Sequence, residues 1–121
     1  SSVALTTDTS ILTAVGNAYG FEEVFARQVT ALARAGAVVW GLSTSGRSPN
    51  VLKAVQAARE VGAKTLLMCG AKAPEDAPVD MVISAPTPDT PRVQELHLLY
   101  GHTLCQLIDH LLFAAPGELE A

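Results

Sequence analysis

Ala37-Val38-Val39-Trp40-Gly41-Leu42-Ser43-Thr44-Ser45-Gly46-Arg47-Ser48-Pro49-Asn50 decides the fold. Residues 37–42 are an unbroken apolar run with β-branched and aromatic members, which predicts a strand buried on both faces of a parallel sheet. A polar loop follows, and after it residues 51–61 carry Val51, Leu52, Val55 and Ala58 at helical steps, with Gly62 closing the helix. A buried strand, a hydroxyl-rich loop and a helix in that order form one β-loop-α unit. Ligands of open α/β sheets bind at the carboxyl ends of strands, where this loop would lie.

The loop offers three serine hydroxyls and one threonine hydroxyl, and Gly46 allows a sharp backbone turn. The helix N-terminus behind it presents unpaired N–H groups and partial positive charge. Together these make an anion site, best suited to a phosphate. An ordinary capping loop with Ser48 as N-cap would have the same composition, so the residues alone leave both readings open. The loop is neither a Walker A motif nor a GxGxxG fingerprint, and no nucleotide cofactor is expected.

Outward from this unit, strands and helices alternate. Residues 3–5 read as a short strand. Asp8 or Thr9 can cap a helix over 10–15, broken by Gly16-Asn17. Phe21, Val24, Phe25, Val29 and Leu32 give an amphipathic helix over 21–35, ended by Gly36. Residues 64–69 and 81–85 read as further strands, separated by a proline-containing loop over 70–80. Pro86, Pro88 and Pro91 mark a stiff linker into the longest helix, 92–113. Its leucines cover too much of the circumference for a single stripe, which predicts burial on more than one side. Residues 114–121 read as a frayed tail. The predicted fold class is α/β, a three-layer open parallel sheet with flanking helices.

The chain has 121 residues and a net charge of -4, enough for one core. With 49% hydrophobic and only 17% charged residues, it is too apolar for disorder. The acidic balance argues against nucleic acid, which selects a basic face. No apolar run approaches the ~20 residues of a membrane span, and no basic flank marks a signal peptide. Cys69 and Cys105 lack CxxC spacing and read as two buried, reduced thiols. The expected location is the cytoplasm. The apolar excess also points to surface buried against other subunits.

The stretch from Gly41 to Ala54 resembles the signature loop of sugar isomerase (SIS) domains. Residues 8–25, and Arg92-Val93-Gln94-Glu95-Leu96-His97 followed by His102, are similar to the phosphoheptose isomerase subfamily. The resemblance runs from residue 3 to about residue 113. It implies that the SIS domain covers 1–113 here. It also implies that the chain starts at the family's second strand, without the long helix, first strand, GNGGS-type loop and glutamate-bearing helix that precede it in the family.

The resemblance further implies roles. Ser43, Thr44, Ser45 and Ser48 would hold the sugar phosphate, and Asn17 would contact substrate. Ala18 stands where an aspartate is usual, and Pro91 also replaces a frequent aspartate. Gln94 would orient substrate or metal, and His102 would be the catalytic histidine. In zinc-binding members Gln94 and His102 would be half of the ligand set, with the other ligands and the general base upstream. Eight residues place those two side chains roughly 80° apart around a helix and two turns along it, within reach of one pocket. His97, five residues before His102, would project from a different face and serve structure or an interface. His110 would favour the helix dipole. Glu95 would be structural.

The implied activity is aldose–ketose isomerisation of sedoheptulose 7-phosphate to D-glycero-D-manno-heptose 7-phosphate through an enediol(ate). That step feeds heptose pathways for surface glycans such as lipopolysaccharide, and the implied assembly is a homotetramer. The main alternative is a non-catalytic SIS module that binds a sugar phosphate or regulates replication initiation. A weaker third is an SIS enzyme of amino-sugar phosphates.

Overall fold

The computed structural model describes residues 1–72, 74 and 76–113. Helix α1 (Thr9–Tyr19) is followed by a 3-10 turn (Phe21–Glu23) and helix α2 (Ala26–Leu32). Strand β1 (Val38–Leu42), helix α3 (Pro49–Glu60), strands β2 (Lys64–Cys69) and β3 (Met81–Ser84), and helix α4 (Thr90–Phe113) complete the order. The sheet is β1-β2-β3, parallel throughout, with Trp40 beside Leu66 and Met68 beside Ile83.

Alternation along β1 divides the molecule into layers. Gly41 faces α3 so closely that an added Cβ would lie 2.8 Å from Val51 Cγ1. Val39 joins the alanine-rich core of Ala26, Val29, Ala54, Ala57, Ala58 and Ala63 between α2, α3 and the sheet. Small side chains let those two helices approach each other and the strands. Trp40 points the other way, to α4, with its ring 3.7 Å from where a Gly101 Cβ would sit. Helix α3 ends in a Schellman motif: Ala63 N–H donates to Ala58 C=O and Gly62 N–H to Arg59 C=O, with Gly62 at φ 78°.

Several expectations are corrected. The strand buried on both faces is β2, where Thr65, Leu67, Met68 and Cys69 are buried. Among the described residues β1 lies at the edge of the sheet, and its outward residues Val38, Trp40 and Leu42 are 67%, 38% and 54% exposed, because only part of α4 lies over them. Residues 3–5 form no strand; the Leu5 carbonyl instead accepts from Gln28 Nε2 at 3.0 Å. Gly16-Asn17 does not break α1. The helix runs on to Gly20, whose backbone (φ 97°, ψ 152°) suits glycine alone. The expected helix over 21–35 is split. The tighter first turn lets Glu22 and Glu23 both reach Lys53 Nζ, at 2.7 and 2.6 Å, tying the turn to α3. Of the two expected caps, Asp8 is the N-cap, accepting from Ile11 N–H at 2.9 Å, and Thr9 is the first helical residue.

Cys69 is buried, which pushes its thiol pKa up, but Cys105 is exposed on α4. Of α4, only Val93 and His97 are buried within this chain. Leu98, Leu99, Leu107, Ile108, Leu111, Leu112 and Phe113 all lie exposed, so the expected many-sided burial is absent here. The expected tail, residues 114–121, lies outside the described residues. Among the described residues no helix is long and apolar enough to cross a membrane.

One polar clip fixes the far end of the sheet. Asp80 Oδ2 accepts from Thr65 N–H at 2.8 Å and Thr65 Oγ1 at 2.9 Å, and Asp80 N–H donates back to Thr65 Oγ1 at 2.8 Å. The hydrogen bonds from Thr65 hold the Asp80 carboxyl below its usual range. A depressed folded pKa adds stability above the unfolded value, ~3.9, and that stability is lost as pH falls through the folded value. Asp80→Asn is therefore expected to lower Tm at pH 7 and to flatten the acid limb below about pH 4. Thermal melts of both proteins across pH 2–7 check this, and parallel acid limbs would refute it.

Candidate functional site

The 43–48 loop leaves β1 at its carboxyl end and enters α3. Ser43 is buried and its N–H donates to Met68 C=O, which anchors the loop to β2. Gly46, at φ 66°, makes the turn, and its N–H donates to Ser43 C=O. Gly70 N–H donates to Thr44 C=O at 2.9 Å, so the end of β2 supports the loop from below.

The hydroxyls converge. Ser43 Oγ and Ser48 Oγ lie 2.8 Å apart, and Ser45 Oγ is 3.5 Å from Ser43 Oγ. Ser48 stands at the N-cap of α3 yet makes no side-chain capping bond. A serine there ordinarily accepts from the N2 or N3 amide. Its hydroxyl is instead turned into the serine cluster, while Asn50 Oδ1 takes the Val51 N–H. That is the arrangement of a loop collecting donors at a helix N-terminus, which weighs against the simple capping reading. Beside it, Phe21, Glu22, Ser48, Pro49 and Asn50 line a depression of about 530 Å³.

A second groove, of about 400 Å³, lies between β1 and α4. Trp40 and Leu42 form its floor, and Gln94, His97, Leu98, Gly101 and His102 its wall. The expected pairing of Gln94 and His102 on one pocket is seen. His97 is brought to the same groove, contrary to the expectation that it would face elsewhere. His97 and His102 are roughly 140° apart on the helix, but Gly101 between them carries no side chain and Trp40 lies against that gap. The groove thus wraps the helix. Leu42, on its floor, is the residue before Ser43, so the groove and the serine loop adjoin.

Asn17 is exposed on α1 and lines neither the groove nor the depression. Glu95 pairs with Arg92 at 2.8 Å on the exposed side of α4. His110 sits in the last turn of α4.

A zinc site needs about four N, O or S donors around one point. Among the described residues no three His, Cys, Asp or Glu side chains cluster to hold a metal. Gln94 and His102 are too few on their own, so the residues of this chain do not by themselves fit zinc.

Residues 1–70 match the family model of the SIS domain. The chain belongs to the SIS domain family. This SIS chain is 53% identical over 119 residues to the phosphoheptose isomerase of Maridesulfovibrio salexigens, covering 98% of this chain and 58% of that protein. It is 51% identical over 110 residues to that of Helicobacter pylori, covering 90% and 57%. The solved phosphoheptose isomerase of Neisseria gonorrhoeae superposes with a TM-score of 0.83 at 48% identity, over 88% of this chain and 61% of the other. That of Francisella tularensis gives 0.85 at 36% identity, over 89% and 61%. The chain thus spans about three-fifths of the length of these relatives.

Proposed function

We propose that this chain is the sugar-phosphate-binding and acid/base part of a phosphoheptose isomerase. The observation that carries the reading is the adjacency of two chemistries: a serine loop at a helix N-terminus, running directly from the groove that Gln94 and His102 share. Identity of about half to relatives bearing that name supports it.

The reaction follows from the parts. Ser43, Thr44, Ser45 and Ser48 hold the phosphate of open-chain sedoheptulose 7-phosphate with hydroxyls and backbone N–H groups. No basic patch is needed, which reconciles an anionic substrate with an acidic chain. The carbonyl end extends along Leu42 into the groove. A carboxylate base, expected from the part of the family pattern that precedes these residues, moves a proton between adjacent carbons through an enediol(ate). His102 gives and takes protons at the sugar oxygens. Gln94 orients the chain by hydrogen bonding. Gln94 and His102 are the donors this chain would offer a zinc ion, and no step here depends on one.

Turnover of sedoheptulose 7-phosphate by the full-length protein tests the reading. Formation of heptose 7-phosphate is expected; thermal stabilisation by the sugar without product would favour the non-catalytic SIS module. The same reading places the enzyme in the cytoplasm, supplying heptose for surface glycans, as a homotetramer. The exposed leucines of α4 support association, since apolar faces of this extent are normally covered. Light scattering of the full-length protein is expected to give four copies, and a monomer would refute it.

A further inference from the structure

His97 is 8% exposed, lines the groove with Gln94 and His102, and its Nε2 has no hydrogen-bond partner among the described residues. A buried polar atom left unpaired loses its hydration without return, and native structures rarely keep one without a use. A phenylalanine or leucine would fill the same space against Trp40 at no such penalty. Val93, one turn earlier and also buried, shows that this side of α4 accepts an apolar residue.

We propose that His97 is a substrate-binding residue, whose Nε2 hydrogen-bonds an oxygen of the open-chain sugar at the end remote from the phosphate. The proposal rests on the isomerase reading for the identity of the sugar, while its basis is the orphaned, buried nitrogen of a side chain that lines the groove. Three polar side chains then face one ligand from a single helix. Gln94 and His97 are about 4.5 Å apart along the axis, and His102 is about 7.5 Å further on, a span that matches a chain of several hydroxylated carbons. The terminal torsion of histidine is soft, so the nitrogen can turn onto a ligand oxygen. An imidazole can also donate to a hydroxyl or accept from one.

The test uses the full-length protein as wild type, His97→Phe and His97→Gln. Phenylalanine keeps the volume and removes the nitrogen; glutamine returns a polar group near the position of Nε2. His97→Phe is expected to melt at or above the wild-type temperature. It should nonetheless lose about five- to tenfold in kcat/KM and lose most of the thermal shift given by sedoheptulose 7-phosphate. His97→Gln is expected to recover part of both. A fall in Tm with activity lost in proportion would show that Nε2 is satisfied by another protein group and would overturn the proposal. So would a His97→Phe protein with unchanged kcat/KM and ligand shift. An inactive wild type would instead remove the isomerase reading, and the ligand shift of the two variants would still decide the role of His97.

Discussion

Full-length protein carrying His102→Ala is expected to lose about 10²–10⁴ in kcat while keeping its Tm and most of its substrate affinity. The size follows from what a positioned acid/base contributes when proton transfers at two sugar oxygens must occur in turn. The selectivity follows from where His102 stands. It is exposed on α4 and, among the described residues, makes no side-chain hydrogen bond or ion pair, so truncation removes little that holds the fold. Substitutions at such positions usually shift stability by within about 0.5 kcal/mol. The phosphate, which supplies much of the binding, is held a strand's end away by the serine cluster. KM should therefore move much less than kcat, the signature of an interaction made chiefly in the transition state. Steady-state kinetics with a parallel melt decide it. Near-normal turnover would remove His102 from the chemistry and return the chain to a binding module.

The contrast between Gln94–His102 and His97 shows where the sequence is informative. The position of the serine loop is legible because a strand end, a flexible glycine and a helix start fall within a few residues, but only the family resemblance favours a phosphate site over a capping loop. The Gln94–His102 pair is singled out by the family resemblance alone; the helical period adds only that the two side chains can reach one pocket. His97 was assigned to another face by that same helical arithmetic. The arithmetic treats a pocket as a narrow stripe, whereas here Gly101 leaves a gap that Trp40 closes against, and the groove widens around it. Knowing this needs the packing of β1 on α4, which sequence spacing does not contain. β1 was likewise read as buried on both faces because an apolar run looks the same at a sheet edge and at its centre. Only the order β1-β2-β3 places β2 in the middle. The 3-10 turn at Phe21–Glu23 was hidden for a similar reason: the partner its two glutamates share is Lys53, thirty residues on. Residues 3–5 have strand composition, but Leu5 already enters a turn and the segment pairs with no strand among the described residues.

The strongest effect on the fold and the phosphate loop together should come from Gly70→Ala. Gly70 follows β2, and its N–H holds the Thr44 carbonyl at 2.9 Å. An added Cβ would lie 2.8 Å from Thr44 O, 3.1 Å from Thr87 O and 3.0 Å from Val93 Cγ2. Two of these three neighbours are backbone atoms and cannot rotate away. Relief requires moving the serine loop, which carries the proposed phosphate ligands, or the segment that leads into α4, the helix of Gln94 and His102. Overpacking of this kind costs about 1–3 kcal/mol, with the upper end expected here. Gly41→Ala is the instructive comparison. Its close neighbour, at 2.8 Å, is the Val51 side chain, so Gly41→Ala combined with Val51→Ala should regain much of the lost stability. Gly70→Ala combined with Val93→Ala should not, because the two carbonyls remain. Denaturant melts of wild type, the four single variants (Gly41→Ala, Val51→Ala, Gly70→Ala, Val93→Ala) and the two doubles measure the coupling in each pair. KM for sedoheptulose 7-phosphate should rise in Gly70→Ala and stay near the wild-type value in the rescued Gly41 pair. If trimming Val93 restored Gly70→Ala as fully as trimming Val51 restores Gly41→Ala, the carbonyls would be yielding, and the serine loop would be less rigidly seated on β2 than its hydrogen bonds imply.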